Sequence, residues 1–198
     1  MGLLYGAAEG LVMGPGPASL TRAQVDAIAA PSLGVRLGDG PEILSVLTSD
    51  APHSKLWTAG KSFALQTDAG RIVRSAGFSA NLSGVSTNPG ETHAPAAALR
   101  RGGERTLAYD FADLNVYSVK AVCTVSDHGR ENIQILGRII PTQRIVEHCR
   151  AELLDWTFEN TFWLGERSGL VWQSVQHIHP RLGAITTELL RAPEGSED

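Results

Sequence analysis

The feature that most constrains the fold is a strand–turn–strand pattern between Trp57 and Leu82. From Phe63 to Thr67, residues suited to a buried face alternate with more polar ones, which is the period of a half-buried β-strand. Asp68 to Gly70 supplies turn residues, and Arg71 to Arg74 resumes an extended, β-branched segment that ends by Gly77. The stretch predicts a β-hairpin with an aromatic residue at its opening.

A second stretch, Phe158 to Pro180, repeats this organisation near the C-terminus. Gly165 to Gly169 has the composition of a turn, and the segment after it places Leu170, Trp172 and Ser174 on one face of a strand. Proline ends this segment because it cannot donate to a β-ladder. We predict a second hairpin here.

Alternating segments recur along the rest of the chain, at Leu107–Phe111, Val116–Ala121 and Ile185–Leu190, and a further hairpin turn is predicted at Asp127–Arg130. Thr21 followed by Gln24 has the form of a capping box and predicts one short helix that ends before Pro31. About nine or ten strands without β–α–β alternation predict a mainly β fold, an antiparallel β-barrel or sandwich with one short N-terminal helix.

The composition fits a single domain of ordinary globular character. The chain has 198 residues, of which 42% are hydrophobic and 19% charged, enough to bury a core. The net charge of −4 argues against nucleic-acid binding, which relies on clustered Lys and Arg. We predict a flexible N-terminal segment at 1–19, one β domain at 20–193 and a polar tail at 194–198. Ser83 to Arg105 is a long Gly-, Ser- and Pro-containing connection that we expect to be mobile or functional.

Catalytic and metal-binding patterns are weak. His177 and His179 would share one face of a strand, but no third ligand lies near them in sequence. A glycosidase needs two carboxylates across a cleft, and Glu147, Glu159 and Glu166 all lie where surface charges are expected. We predict no metal, no cofactor and no enzymatic activity. The four tryptophans favour core packing over stacking on sugar rings.

The two hairpin stretches together resemble the YjbF/GfcB family of lipoproteins associated with capsule and exopolysaccharide production. The resemblance extends from about Leu20 to Pro193, and its motifs are specific in combination. The matching residues are Trp57, Leu65, Gly70, Arg71, Ile72, Val73, Arg74, Gly77, Leu82, Asn160, Trp163, Gly169, Trp172, Ser174, Gln176 and Pro180.

This resemblance implies a β-barrel-like, non-catalytic protein of polysaccharide export, located in the periplasm and held at the outer membrane by a lipid anchor. Family members are lipidated near the N-terminus, where this sequence has no cysteine. We expect the lipid-bearing cysteine of the full-length precursor to precede this sequence, the alternative being that this family member has none. In an extracytoplasmic compartment the two cysteines, Cys123 and Cys149, are expected to form a disulfide, the alternative being two buried thiols.

The expected partner is an acidic polysaccharide or a polysaccharide-export protein. The alternatives are a polysaccharide hydrolase and a structural interaction protein without a ligand. Arg71 and Arg74 should point to opposite faces of their strand, because residues three apart do so. The alternative for the later arginines is a solvated charge cluster. The candidate ligand-binding residues are Arg71, Arg74, Arg100, Arg101, Arg105 and Trp172, the last expected to be partly exposed.

Overall fold

Twelve strands form one antiparallel sheet that curls into a nearly closed barrel. A computed structural model describes residues 20–87, 99–100 and 102–193. The elements are α1 (Arg22–Asp26), β1 (Ser32–Leu37), β2 (Ile43–Ala51), β3 (Ser54–Ala59), β4 (Phe63–Asp68), β5 (Arg71–Ala76), β6 (Gly84–Thr87), β7 (Gly103–Phe111), β8 (Val116–Ile135), β9 (Arg138–Ala151), β10 (Trp156–Gly165), β11 (Val171–Gln176) and β12 (Ile185–Arg191). The mainly β class and the antiparallel barrel are confirmed.

Successive strands pair as hairpins from β1 to β5 and from β6 to β12, and the pairing of β1 with β12 joins these two halves into one sheet. The two remaining edges, β5 and β6, meet along a seam where the backbone N–H of Ser75 donates to the carbonyl of Leu82 at 3.0 Å. Full closure removes the exposed strand edges that make open sheets prone to association. Here the closure is partial.

The short helix begins with the predicted capping box. The hydroxyl of Thr21 accepts from the backbone N–H of Gln24 at 3.3 Å, and the Gln24 side chain accepts from the Thr21 N–H at 2.8 Å. This reciprocal pair satisfies two backbone donors that a helix start leaves open. Val25 anchors the helix on the barrel, where it is fully buried.

The barrel interior is apolar at both ends and polar between them. One end holds an aromatic cluster in which Tyr109 and Phe111 pack against Trp156 and Phe158. We call the opposite end the mouth; it is formed by the β4–β5 turn at Ala69 and Gly70 and by the β10–β11 turn at Gly165–Leu170.

The predicted disulfide is present. Cys123 on β8 lies directly opposite Cys149 on β9, with a Cα–Cα distance of 4.0 Å and an S–S distance of 2.09 Å. Both residues are buried. The bond therefore joins two neighbouring strands within the core.

Several element predictions were wrong in detail. The sheet has twelve strands rather than about nine or ten, because β1, β3 and β6, where no strand was predicted, also pair into it, the last of them inside the Ser83–Arg105 connection. Asp127–Arg130 is a bulge inside β8 rather than a turn; Gly129 has φ +83°, and the hairpin turns at Leu136 and Gly137 instead. The bulge holds because the Asp127 carboxylate accepts from the Gly129 N–H at 2.8 Å.

The predicted segments 1–19 and 194–198 lie outside the described residues. Among the residues that the structure describes, no helix has the length and apolar character needed to cross a bilayer.

Candidate functional site

A buried ion pair lies in the polar middle of the barrel. Arg71 Nη2 donates to Glu147 Oε1 at 2.6 Å, and both side chains are almost completely buried, with exposed fractions of 7% and 0%. Arg105 Nη1 lies 3.6 Å from the same carboxylate oxygen. The other oxygen, Oε2, accepts from Asn160 Nδ2 at 3.4 Å. One carboxylate thus lies between two guanidinium groups.

Strand alternation brings these side chains together. On β9, Glu147 lies between Ile145 and Cys149 in the row of residues that points into the barrel. Asn160 is its direct cross-strand neighbour on β10. Arg71 arrives from β5, immediately after the tight turn at Gly70. The cluster therefore requires the closed barrel, because β5 and β9 are far apart in the sheet order.

Burial and charge act in opposite directions on the ion pair. Burial alone would raise the pKa of Glu147, but Arg71, Arg105 and the Asn160 hydrogen bond outweigh it and hold that pKa below its usual value. Burial alone would lower the pKa of Arg71, whereas the contact with Glu147 raises it. Both groups are therefore ionised at neutral pH.

Burial and the charges of Arg71 and Glu147 also shift the pKa values of Tyr109 and Arg105. Burial raises the pKa of Tyr109 well above its usual value, with Arg71 opposing the shift. Burial, together with repulsion from Arg71, lowers the pKa of Arg105 despite the attraction of Glu147. Arg105 therefore carries its charge at a cost that only Glu147 partly offsets.

Gln176 connects this cluster to the hairpin turn beside it. Its side-chain oxygen accepts from the Ile72 N–H at 2.9 Å, and its Nε2 donates to the Gly70 carbonyl at 2.9 Å and to Ser174 Oγ at 2.8 Å. Ser174 in turn shares a hydrogen bond of 2.6 Å with Thr187. These bonds fix the β4–β5 turn to β11 and β12 and so position Arg71.

The mouth is partly filled by the short segment that precedes β7. Leu99 is buried among Phe162, Leu164 and neighbouring apolar residues, and Arg100 Nη2 donates to the carbonyl of Gly165. The guanidinium of Arg100 therefore lies over the β10–β11 turn. This segment leads into β7, where the side chain of Arg105 keeps 15% of its surface exposed beside Glu147.

The predicted ligand-binding residues do not lie together. Arg71, Arg100 and Arg105 lie inside or at the mouth, and Arg74 is exposed elsewhere, as expected from its opposite orientation to Arg71. Arg101 lies outside the described residues. Trp172 was expected to be partly exposed, and this was wrong: it is 2% exposed, and the Arg138 guanidinium lies 5.2 Å from its ring centroid.

The expectation of a surface position was also wrong for Glu147, whereas Glu159 and Glu166 are exposed. A signal for this was present in the alternation, because Glu147 shares its face with Ile145 and Cys149. Asn160 was likewise missed as an interior residue, although it lies between Phe158 and Phe162 at the same spacing.

The two histidines that were considered as metal ligands have different hydrogen-bond partners. His179 is buried, with Nε2 3.2 Å from Asp113 Oδ1, whereas His177 Nδ1 lies 2.7 Å from the backbone oxygen of Glu159. Within the described part of the chain, no group of three or more His, Cys, Asp or Glu side chains is arranged to hold a metal ion.

Comparisons with known proteins agree with this architecture. Residues 6–190 match the family model described as group 4 capsule polysaccharide lipoprotein gfcB, YjbF. A curated relative, the uncharacterized lipoprotein GfcB of Escherichia coli strain K12, is 25% identical over 167 residues, covering 84% of this chain and 77% of that protein. The crystal structure of the hypothetical lipoprotein YmcC from Escherichia coli K12 has the same fold, with a TM-score of 0.72 at 23% identity over 88% of this chain and 90% of that one. The chain belongs to the YjbF/GfcB family of group 4 capsule polysaccharide lipoproteins.

Proposed function

We propose that this protein is a non-catalytic envelope component of capsule or exopolysaccharide production, and that its mouth binds acidic polysaccharide. The observation that carries the proposal is a set of three guanidinium groups: Arg100 lies on the β10–β11 turn at the mouth, and the partly exposed Arg105 shares the Glu147 carboxylate with the buried Arg71. Guanidinium groups suit carboxylate-bearing sugars because they can donate two parallel hydrogen bonds.

The electrostatics of the mouth support an anionic ligand. Because burial and Arg71 lower the pKa of Arg105, an approaching carboxylate would relieve the repulsion between the two guanidinium groups. Arg105 also combines a partly exposed side chain with a fixed neighbour, Glu147. The contribution of exposed charges will be screened over about 8–10 Å at physiological ionic strength.

The state of the interior carboxylate supports a non-catalytic role. A glycosidase needs one carboxyl group that stays protonated near neutral pH and a second across the cleft. Glu147 does not resemble the protonated carboxyl group, since Arg71 and Arg105 lower its pKa. Its nearest carboxylate-bearing neighbour along β10, Glu159, lies on the exposed face.

The envelope location is supported by the family and by the disulfide. The family model and the curated relative are both described as lipoproteins. Disulfides persist in oxidising compartments such as the periplasm, and this chain has one in its core. We propose a periplasmic domain that a lipid anchor tethers to the outer membrane.

The test is to titrate purified protein with acidic exopolysaccharide from the source organism at low and high salt while assaying for new reducing ends. We expect binding that weakens with salt, weakens about tenfold in Arg100→Gln, and produces no reducing ends. Arg150→Gln is the matched control, because Arg150 is 60% exposed on the outer face of β9.

Two results would redirect the proposal. Reducing ends that disappear in a Glu147→Gln protein that circular dichroism shows to be folded would establish the hydrolase instead. Absence of binding at every salt concentration would refute the polysaccharide site and leave an export protein, or a purely structural role, as the function.

A further inference from the structure

A second feature of the mouth, separate from its arginines, is a largely apolar cavity of about 280 Å³. Its wall includes Leu33, Trp57, Leu170, Val171 and Leu189. The cavity reaches from the β10–β11 turn to the inner face of β12, beside the turn at Gly70. Trp57 itself is 2% exposed, so its indole forms a fixed wall rather than a mobile surface group.

The polar groups in this wall are bonded to their neighbours. Thr67 Oγ1 accepts from the Trp57 indole N–H at 2.9 Å, and Thr187 Oγ1 shares a hydrogen bond of 2.6 Å with Ser174. Removing apolar surface from water is favourable by about 25 cal/mol per Å² of surface buried. The wall therefore favours a hydrocarbon ligand over water or a free sugar.

The only charged side chain in the described wall, Lys55, lies at its rim, where its ammonium group contacts the Asp50 carboxylate. There the cavity adjoins a more open depression of about 370 Å³. Besides Lys55, this depression is lined by Asp50, His53 and Asp68, so it presents charges of both signs and several hydrogen-bonding groups. An apolar chamber next to a polar depression matches the two halves of an amphiphile.

We propose that this cavity binds the hydrocarbon chain of a single-chain amphiphile whose hydroxylated, uncharged head group lies in the adjoining depression. A methylene group occupies about the volume of one water in the liquid, roughly 30 Å³. The 280 Å³ of the cavity thus accommodates about nine or ten carbons. An uncharged head group is favoured because the depression contains both positive and negative side chains, so a charged head group would be attracted by some and repelled by others. This site does not depend on polysaccharide binding at the arginines.

The experiment is a calorimetric titration of the oxidised protein with hexyl, octyl, decyl and dodecyl maltosides, each below its micelle-forming concentration. Each buried methylene is worth about 0.8 kcal/mol, or roughly a fourfold gain in affinity. We expect the affinity to rise with each methylene and to level off near ten carbons. Decanoate and decyltrimethylammonium, which have charged heads, should bind at least threefold more weakly than decyl maltoside.

Leu189→Trp fills the cavity and should weaken decyl maltoside binding at least tenfold. The matched control is Leu153→Ala, which alters a leucine that is 71% exposed and does not line the cavity. Should Leu189→Trp fail to fold, the chain-length series on the unchanged protein decides the question by itself. Binding that is absent, that is equal for hexyl and decyl chains, or that survives in a folded Leu189→Trp protein would overturn the proposal.

Discussion

Replacing Glu147 by Gln removes one negative charge from the barrel interior and leaves the shape of the side chain almost unchanged. In the native protein the carboxylate accepts from Arg71 at 2.6 Å and lies 3.6 Å from Arg105. The amide can still accept the Asn160 hydrogen bond but cannot neutralise either guanidinium group. The change therefore isolates the charge.

The expected loss is large because Arg71 has almost no access to water. Removing one partner of a buried ion pair leaves an uncompensated charge and costs about 3–5 kcal/mol. A domain is stable by about 5–15 kcal/mol in total, so the variant should unfold at a much lower denaturant concentration. The loss of the Arg105 contact lowers the unfolding free energy by less, because Arg105 is half-buried and water can screen its charge.

The assay is urea unfolding of the oxidised protein, followed by tryptophan fluorescence and circular dichroism. Glu159→Gln is the control; it removes a charge from the adjacent strand, where the side chain is 47% exposed and pairs with His148. Exposed pairs of this kind contribute about 0–1 kcal/mol. The double variant Arg71→Met with Glu147→Leu should recover much of the loss, because matched apolar groups need no counter-charge.

An unfolding free energy of Glu147→Gln within about 1 kcal/mol of the unchanged protein would refute this reasoning. It would mean that water reaches the pair in solution. A double variant less stable than either single one would show that the pair is worth more than the packing that could replace it.

Three further predictions concern the turn, the disulfide and pH. Gly70→Ala should lower the unfolding free energy by about 2–4 kcal/mol, because φ is +85° and the new Cβ would lie 2.4 Å from Val171 Cβ. The control is Gly137→Ala, where φ is +82° but the space around the new Cβ is open, and it should lower the unfolding free energy by only about 1 kcal/mol in the same urea assay. Reducing the disulfide, which closes a 26-residue separation, should lower the unfolding free energy by about 3 kcal/mol, and thiol labelling of unfolded, unreduced protein should find no free thiol. Because the pKa of Glu147 is lowered in the folded state, the stability that Glu147 contributes is lost as pH falls below about 4.5. Burial and Glu42 raise the pKa of Glu188, so the stability that depends on Glu188 falls as pH rises above about 4.5. In a pH series of urea melts, Glu188→Gln should remove only the effect of Glu188.

Features set by neighbouring residues were predictable from the sequence. The capping box of Thr21 and Gln24, the alternation from Phe63 to Thr67, and the positive φ at Gly70 each depend on a few adjacent positions. The bulge in β8 was not predictable in this way. A glycine within a strand is compatible with a turn or with a bulge, and the outcome depends on whether β9 continues alongside, as it does.

The burial of the Arg71–Glu147 pair could not be predicted from neighbouring residues. Arg71 and Glu147 are 76 positions apart and meet only because the barrel closes. Considered singly, each charge is expected in solvent; only the pair makes burial tolerable. Trp172 is a related case, because Arg138 lies over its ring. Arg138 belongs to the β8–β9 hairpin, whose turn was predicted at Asp127–Arg130 instead.

The central claim, that the arginine-lined mouth binds acidic polysaccharide, is tested most directly by following arginine Nε–Hε signals by nuclear magnetic resonance. Oligosaccharide fragments of the acidic polymer would be added at low salt and then at high salt. The account predicts that the signals of Arg100 and Arg105 shift at low salt and return at high salt, while that of Arg150 stays in place. Shifts confined to outer-face arginines such as Arg150, or no shift of any arginine at low salt, would contradict it.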